Sequence, residues 1–236
     1  MKFIQIVISG FLWLTGLSSI VVLVPTYLLI VIVFGGRQVR GLERLLARAI
    51  LFAFGQRLEV WNAPIASEHA RRVYLFNHAS YLDAFVLAAA ILDYIRAVGA
   101  AYHFKWPVWG SLLRQRGIIP VHREKHVAAV EAMIQAENEV LGKGDSLIVS
   151  PEGTRSDDGQ LLPFKKGAFH AIKKTNANVV LMVIKGAHQA LPKHSWLLRP
   201  GTIQVHFEEW PAEKTKHLEA HQLLLATRER FLELMA

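Results

Sequence analysis

A run of 32 residues without one charged side chain, from Phe3 to Phe34, is the feature that most constrains the fold. About 20 apolar residues suffice to cross a bilayer, so the run predicts a membrane-anchoring helical segment. It is too long for a cleaved signal peptide. As one straight helix it would measure about 48 Å against a hydrocarbon core of about 30 Å. We therefore expect a tilt, or a break at Gly16 or Pro25, and both a steep span and a hairpin that dips into the bilayer stay open.

A cluster of arginines follows the apolar run, against a single lysine, Lys2, before it. The cluster consists of Arg37, Arg40, Arg44 and Arg48. This bias predicts that the bulk of the protein lies in the cytoplasm. The last three arginines recur every four residues among apolar side chains, which favours an amphipathic helix in the lipid headgroup layer. The alternative is an ordinary amphipathic core helix with a solvated basic edge.

Strand and helix patterns alternate through the rest of the chain. Runs rich in β-branched and aromatic residues predict strands at 58–61, 71–76, 94–98, 118–121, 146–149, 179–184 and 202–207. Helical spacing of apolar residues predicts helices at 81–92, 106–116, 124–141, 166–174 and 213–235. The pattern indicates the α/β class, with residues 58–236 forming a single mixed-sheet domain flanked by helices. Residues 1–57 would supply the membrane anchor and the interfacial amphipathic helix.

Seven residues, NHASYLD from Asn77 to Asp83, join a predicted strand to a predicted helix. Such junctions are preferred positions for sites in α/β domains. His78 is a candidate general base, because imidazole is largely neutral near pH 7, and Asp83 one turn away is a candidate orienting carboxylate. The structural alternative is a helix start, since Ser80 followed by Asp83 fits a capping box. One carboxylate can fill both roles.

Three further stretches carry groups that suit a phosphorylated substrate. Arg123 ends the strand-like GIIPVHR, Glu152 and Arg155 lie in SPEGTRS directly after a predicted strand, and Lys165 and Lys166 lead into a predicted helix. Arginine binds phosphate bidentately and keeps its charge, and the start of a helix favours anions. Each stretch alone also fits an ordinary ion pair, turn or solvated surface.

Composition excludes several classes of site. The chain has no cysteine, which excludes disulfides, thiolate metal sites and a cysteine nucleophile. It has no G-x-S-x-G, no H-E-x-x-H and no Asp-rich loop, so we expect neither a serine nucleophile nor a bound metal. The net charge of +8 suits an anionic surface or substrate. Nucleic acid is the rival partner, but no recognition helix or zinc-finger spacing supports it.

The ordered motifs NHASYLD, GIIPVHR, SPEGTRS and PFKKGAF behind an apolar anchor resemble those of the glycerolipid acyltransferases, the 1-acylglycerol-3-phosphate acyltransferase family. The resemblance covers roughly residues 60–211. It implies transfer of a fatty acyl chain from an acyl thioester to the free hydroxyl of lysophosphatidic acid, which gives phosphatidic acid. It also implies that the hydroxyl attacks the thioester directly, without an acyl-enzyme.

The resemblance assigns roles to residues of the motifs. His78 would be the general base and Asp83 its partner. The acceptor's phosphate would be held by Arg123 of the second motif and by Arg155, and Glu152 would help to place the acceptor. The residues that shape the loop would be Gly153 and Thr154.

The partners implied by the resemblance are a lysophospholipid acceptor, an acyl thioester and a membrane, without nucleic acid. No cofactor is implied, and acyl carrier protein and coenzyme A both stay open as carriers of the acyl donor. We expect a bacterial inner membrane, with the catalytic domain on its cytoplasmic face. The alternatives are transfer to another lysolipid, such as a lyso-aminolipid, a lipid hydrolase, or a non-catalytic lipid-binding scaffold. The oligomeric state stays open.

Overall fold

The computed structural model describes residues 2–67, 71–115, 117–121, 131, 134–135 and 138–236. Arg123 lies outside the described residues, and so does most of the predicted helix 124–141. Those residues of this helix that are described are helical.

One continuous helix, α1 (Lys2–Phe34), forms the N-terminal segment, and Pro25 lies inside it. Of the alternatives left open, a continuous helix is therefore present, without a break at Gly16 or Pro25 and without a hairpin. Gly16 instead marks a close approach to the rest of the protein, because a Cβ added there would lie 2.2 Å from the ring of Phe54. Steric contact with this ring, rather than a turn, accounts for the glycine.

The second helix, α2 (Arg40–Ala53), packs on the core by one face. Arg40 does not reach the headgroup layer, because it is buried and its guanidinium donates to the carbonyls of Ile91 at 2.7 Å and Asp93 at 3.0 Å. Buried carbonyls require hydrogen-bond donors, and Arg40 supplies them. The prediction that Arg40 lies in the lipid headgroup layer is therefore wrong. The opposite face of α2 exposes Leu45, Arg48 and Phe52.

Seven strands of the described chain form one sheet in the order β1-β7-β6-β2-β5-β3-β4. The strands are β1 (Gln56–Trp61), β2 (Arg72–Phe76), β3 (Ile95–Ala100), β4 (Ile119–Val121), β5 (Ser146–Val149), β6 (Asn178–Lys185) and β7 (Gly201–Trp210). Neighbours are parallel except β6 and β7, which are antiparallel. The predicted α/β class with a mixed sheet is confirmed. The predicted boundary between residues 57 and 58 falls inside β1.

The remaining helices cover both faces of the sheet. They are α3 (Asp83–Ala90), α4 (Pro107–Gln115), α5 (Lys166–Thr175), α6 (Ala187–Ala190), α7 (Ala212–Thr215) and α8 (Ala220–Met235), with a 3₁₀ helix at Ala101–Lys105. The predicted helix 213–235 is thus two helices. The reason is a capping box at the start of α8, in which Glu219 and Gln222 bond each other's backbone N–H groups.

The central strand β2 shows how the core is divided. Val73 and Leu75 lie in the cluster that includes α5 and α8, whereas Tyr74 and Phe76 lie in the cluster that includes α2 and α3. Because both faces are covered, β2 reads as an unbroken apolar run. Parallel β2, β5 and β6 end at the same edge of the sheet, and the polar motifs follow these ends.

Candidate active site

The motif NHASYLD leaves the sheet at the carboxyl end of β2, between β5 and β6. Asn77 fixes this exit. Its side-chain amide donates to the carbonyl of Ile184 at 2.9 Å, and its side-chain oxygen accepts the N–H of Ile184 at 2.7 Å. The side chain thus extends the pairing of β2 with β6 beyond the end of β2. Because Asn77 is fixed in this way, the backbone of the next residue, His78, begins from a fixed point.

His78 and Asp83 form the predicted pair. Nδ1 of His78 lies 2.7 Å from Oδ2 of Asp83. The histidine side chain is 28% exposed, whereas the aspartate side chain is 1% exposed. A buried carboxylate at Nδ1 favours the tautomer that carries its proton there, which makes Nε2 the basic nitrogen. This is the geometry of a general base with an orienting carboxylate.

Asp83 also organises the turn before α3. Its Oδ2 accepts the backbone N–H groups of Ala79 at 2.8 Å and Ser80 at 2.9 Å. The Ser80 hydroxyl accepts the N–H of Leu82 and donates to the carbonyl of Leu191. Both predicted contacts of Asp83, with the helix start and with the histidine, are present. The N-cap of α3 is Leu82, which makes no side-chain capping bond, so Ser80 stabilises the preceding turn and the predicted capping box does not form.

Glu152 ties the SPEGTRS loop to the backbone of His78. Its Oε1 accepts the N–H of His78 at 2.8 Å and its Oε2 accepts the N–H of Leu162 at 2.8 Å, while the Ser156 N–H donates to the His78 carbonyl at 2.8 Å. Burial raises the pKa of the Glu152 carboxyl, and the two amide donors act in the opposite direction. Each oxygen of Glu152 thus holds one backbone amide, and the role in acceptor placement that the resemblance implies stays a prediction.

Gly153 and Thr154 lie in the loop next to Glu152. Gly153 has a φ of +72°, a backbone conformation that favours glycine. A Cβ there would also lie 2.8 Å from Nζ of Lys165, whose side chain crosses this position. Thr154 is exposed. The loop therefore brings the Lys165 ammonium beside the backbone of the motif, just before α5 begins at Lys166.

Arg155 lies next to the histidine motif. The Cζ atom of its guanidinium lies 3.5 Å from the centroid of the Tyr81 ring, and its backbone carbonyl accepts a hydrogen bond from Lys193. The structure therefore brings together the NHASYLD and SPEGTRS motifs, and with them the candidate base and a candidate phosphate ligand. The role predicted for Arg123 falls outside the described residues.

An apolar cavity of about 540 Å³ lies along α3, starting at Ala84, the residue after Asp83. Its walls come from α1, α2, α3 and the sheet, and almost all of its lining is hydrocarbon. Volumes of several hundred cubic ångströms are typical of sites for small ligands. The sequence analysis did not locate this cavity, because the α1 residues that line it, Ile20, Leu23, Val24 and Tyr27, lie in a run that is apolar on every face.

Comparisons with known proteins identify the family. The family model described as Acyltransferase matches residues 57–185. The 1-acyl-sn-glycerol-3-phosphate acyltransferase of Cocos nucifera is 31% identical over 72% of this chain and 56% of that protein. The enzyme of the same name from Haemophilus influenzae is 27% identical over 61% of this chain and 60% of that protein. The chain thus spans little more than half the length of these relatives.

A solved structure shares the fold. The crystal structure of the 1-acyl-sn-glycerophosphate acyltransferase from Thermotoga maritima matches with a TM-score of 0.79 at 18% identity, over 100% of this chain and 97% of that one. At this identity the match shows the fold alone. The family model covers more than half of the chain, including His78, Asp83 and the loop from Glu152 to Arg155. The chain therefore belongs to the acyltransferase family.

Proposed function

We propose that the protein transfers a fatty acyl chain from an acyl thioester to the free hydroxyl of lysophosphatidic acid and so forms phosphatidic acid. The observation that carries this proposal is the His78–Asp83 pair, in a motif whose Tyr81 ring stacks on the guanidinium of Arg155. The relatives support the proposal, since both are named as acyltransferases of 1-acyl-sn-glycerol-3-phosphate, which is lysophosphatidic acid.

The pair accounts for the chemistry of the transfer. Nε2 of His78 takes the proton of the acceptor hydroxyl as its oxygen attacks the thioester carbonyl. The buried Asp83 carboxylate stabilises the imidazolium that forms. The C–O bond forms, the C–S bond breaks, and the proton passes to the departing thiolate. No group on the protein is acylated, in keeping with a chain that has no cysteine.

The positive groups of the loop account for the acceptor. A phosphomonoester presents several acceptor oxygens, and a guanidinium binds two of them with parallel hydrogen bonds. We propose Arg155, whose guanidinium stacks on Tyr81, as the first ligand and Arg123, on the strength of the motif, as the second. Lysophosphatidylcholine offers only a phosphodiester, with one charge and one terminal oxygen fewer, and a lyso-aminolipid has no phosphate.

An assay with purified protein in detergent tests the proposal. The labelled donor is the acyl thioester of coenzyme A or of acyl carrier protein. We expect phosphatidic acid from lysophosphatidic acid, and little product from lysophosphatidylcholine or a lyso-aminolipid. Efficient use of one of those acceptors would overturn the choice of substrate. Release of free fatty acid without any acceptor would identify a hydrolase, and absence of both products would support the scaffold alternative.

We further propose that the cavity beside α3 holds the acyl chain of the donor. Replacing Ala88, which lines it, with phenylalanine should shorten the accepted chain. Losing the burial of two methylene groups, at about 0.8 kcal/mol each, corresponds to a roughly tenfold drop in kcat/KM for long donors relative to short ones. The measurement is a series of donors of increasing length. The control is Ala49→Phe on the exposed face of α2, and an unchanged length profile in Ala88→Phe would refute this use of the cavity.

The proposed site of action is a membrane surface, in a bacterial inner membrane with the domain on the cytoplasmic side. Buried positions from Ser9 to Tyr27 fix about 27 Å of α1 to the domain. The other face of α1 exposes apolar side chains such as Leu14, Val21 and Leu29. Trp196, 82% exposed, is tied to α1 by a hydrogen bond from Trp13 Nε1 to its carbonyl. These features suit a helix that lies in one leaflet, since tryptophan favours the membrane interface.

A further inference from the structure

We propose that Tyr81 is a positioning residue that holds the guanidinium of Arg155 in the orientation in which it binds the acceptor's phosphate. Tyr81 would thereby set the preference for acceptors that carry a phosphomonoester. The inference rests on the proposed function and assigns a role to a residue between His78 and Asp83 that the chemistry of transfer leaves unused.

The first observation is the stacking geometry. The Arg155 Cζ lies 3.5 Å from the centroid of the Tyr81 ring, well within the range of a cation–π contact. The Tyr81 side chain is an exposed one, so burial in the core does not explain the residue. Its backbone is held on both sides, because Ser80 bonds to Leu191 and to Asp83, and the N–H of Leu82 donates to the Ser80 hydroxyl. The ring therefore stands on a fixed backbone and serves as a platform for the guanidinium.

The second observation is that the Arg155 charge has no carboxylate partner within the described ranges. Six other arginines there do form ion pairs: Arg37, Arg40, Arg57, Arg72, Arg96 and Arg230. The Nη1 atom of Arg155 is buried and makes no hydrogen bond to the described part of the chain. Buried donors are normally satisfied, so we assign this donor to an oxygen of the acceptor's phosphate.

The third observation concerns which part of the guanidinium is used. Stacking engages the flat face of the group, whereas its N–H donors lie in the plane of the fork. The contact with Tyr81 therefore orients Arg155 without consuming a donor. The backbone adds a second constraint, because Ser156 donates to the carbonyl of His78 and Lys193 donates to the carbonyl of Arg155. Phosphate bound by Arg155 would then lie at a fixed position relative to the base.

Steady-state kinetics of a double-mutant cycle tests the inference. For Tyr81→Ala we expect the KM for lysophosphatidic acid to rise about 3- to 30-fold, the range of cation–π contacts, with kcat changed less than about threefold. Tyr81→Phe and Tyr81→Trp keep an aromatic face and should stay close to wild type. In the Arg155→Ala background, Tyr81→Ala should have no further effect on KM, since the platform then has nothing to orient.

The control is Tyr102→Ala, a tyrosine of similar exposure whose ring contacts His103. We expect its kinetics to match the wild type. Multiplicative effects of Tyr81→Ala and Arg155→Ala would overturn the inference, and so would an equal loss in Tyr81→Phe. A loss of vesicle binding that accounts for the higher KM would assign Tyr81 to the membrane instead. If the wild type makes no phosphatidic acid, the proposed function fails; if it does and Tyr81→Ala keeps its KM, only this inference fails.

Discussion

Replacing His78 with alanine is expected to lower kcat for acyl transfer by about 10²- to 10⁴-fold while the protein stays folded. The loss follows from removing Nε2, the nitrogen that accepts the proton. Asp83 keeps Nε2 basic by holding the ring proton on Nδ1. The fold should survive, because the bonds that Glu152 and Ser156 make with residue 78 involve only its backbone N–H and carbonyl. Alanine keeps both groups. Asp83 keeps its two amide donors as well.

The measurement is the initial rate of phosphatidic acid formation at saturating concentrations of both substrates. His221→Ala is the matched control, since this histidine is exposed on α8 and belongs to no motif of the site. We expect it to retain the wild-type rate. A folded His78→Ala protein with more than about a tenth of the wild-type kcat would refute the general-base mechanism.

The strands that carry the site were predictable because both faces of the central sheet are covered. β5 begins and ends where the pattern placed it, β2 begins one residue later than predicted, and β6 is one residue longer than predicted at each end. Burial on both sides demands unbroken apolar runs, which stand out in a sequence. The pairing of His78 with Asp83 was also within reach, since the two are local in sequence and joined by a short turn.

The partners of Glu152 could not be predicted in the same way. They are backbone N–H groups, which every residue but proline carries, so the side-chain sequence does not single out His78 and Leu162. Arg40 posed a similar problem, because besides Glu43 it bonds two backbone carbonyls. In both cases the sequence shows a charged residue in a recognisable pattern, but it does not show the backbone groups that this residue bonds.

The apolar cavity escaped prediction for a different reason. Side chains that face lipid and side chains that face an apolar cavity have the same composition, so the charge-free run gave α1 a uniform appearance. Only packing distinguishes the stripe from Ile20 to Tyr27, which lines the cavity, from Leu14 or Val21, which are exposed. The contact of Tyr81 with Arg155 was similarly hidden, since the two residues come from different motifs.

Asp93 is the residue whose loss should most reduce stability. It lies buried beyond the amino end of β2, where its carboxylate bonds to Arg72 at 3.2 Å, the Tyr74 hydroxyl at 2.8 Å and the Ser146 hydroxyl at 2.9 Å. Burial, and then the nearby Asp93 charge, raise the pKa of Tyr74, so this phenol stays a neutral donor. The carboxylate thus joins the starts of the adjacent parallel strands β2 and β5.

In Asp93→Ala, one buried cation loses a counter-charge and two buried hydroxyls lose an acceptor. Breaking a buried ion pair from one side costs about 3–5 kcal/mol of the free energy of unfolding, and we expect a loss in this range. Arg72 retains its second partner, Glu209, at 2.8 Å, which keeps the effect from growing larger. Asp93→Asn should lose less, because the amide oxygen still accepts a hydrogen bond.

The measurement is the urea midpoint of unfolding in detergent, with Glu233→Ala as the control. That glutamate pairs with Arg230 on the exposed surface of α8, so its removal should leave the midpoint unchanged.

Arg72 and His78 lie near opposite ends of β2, about 20 Å apart along an extended chain. Folded Asp93→Asn should therefore keep the wild-type kcat. A midpoint that matches the wild type in Asp93→Ala would show that the network is not needed for stability. A folded Asp93→Asn protein without activity would instead show that this network is coupled to the His78 end of β2.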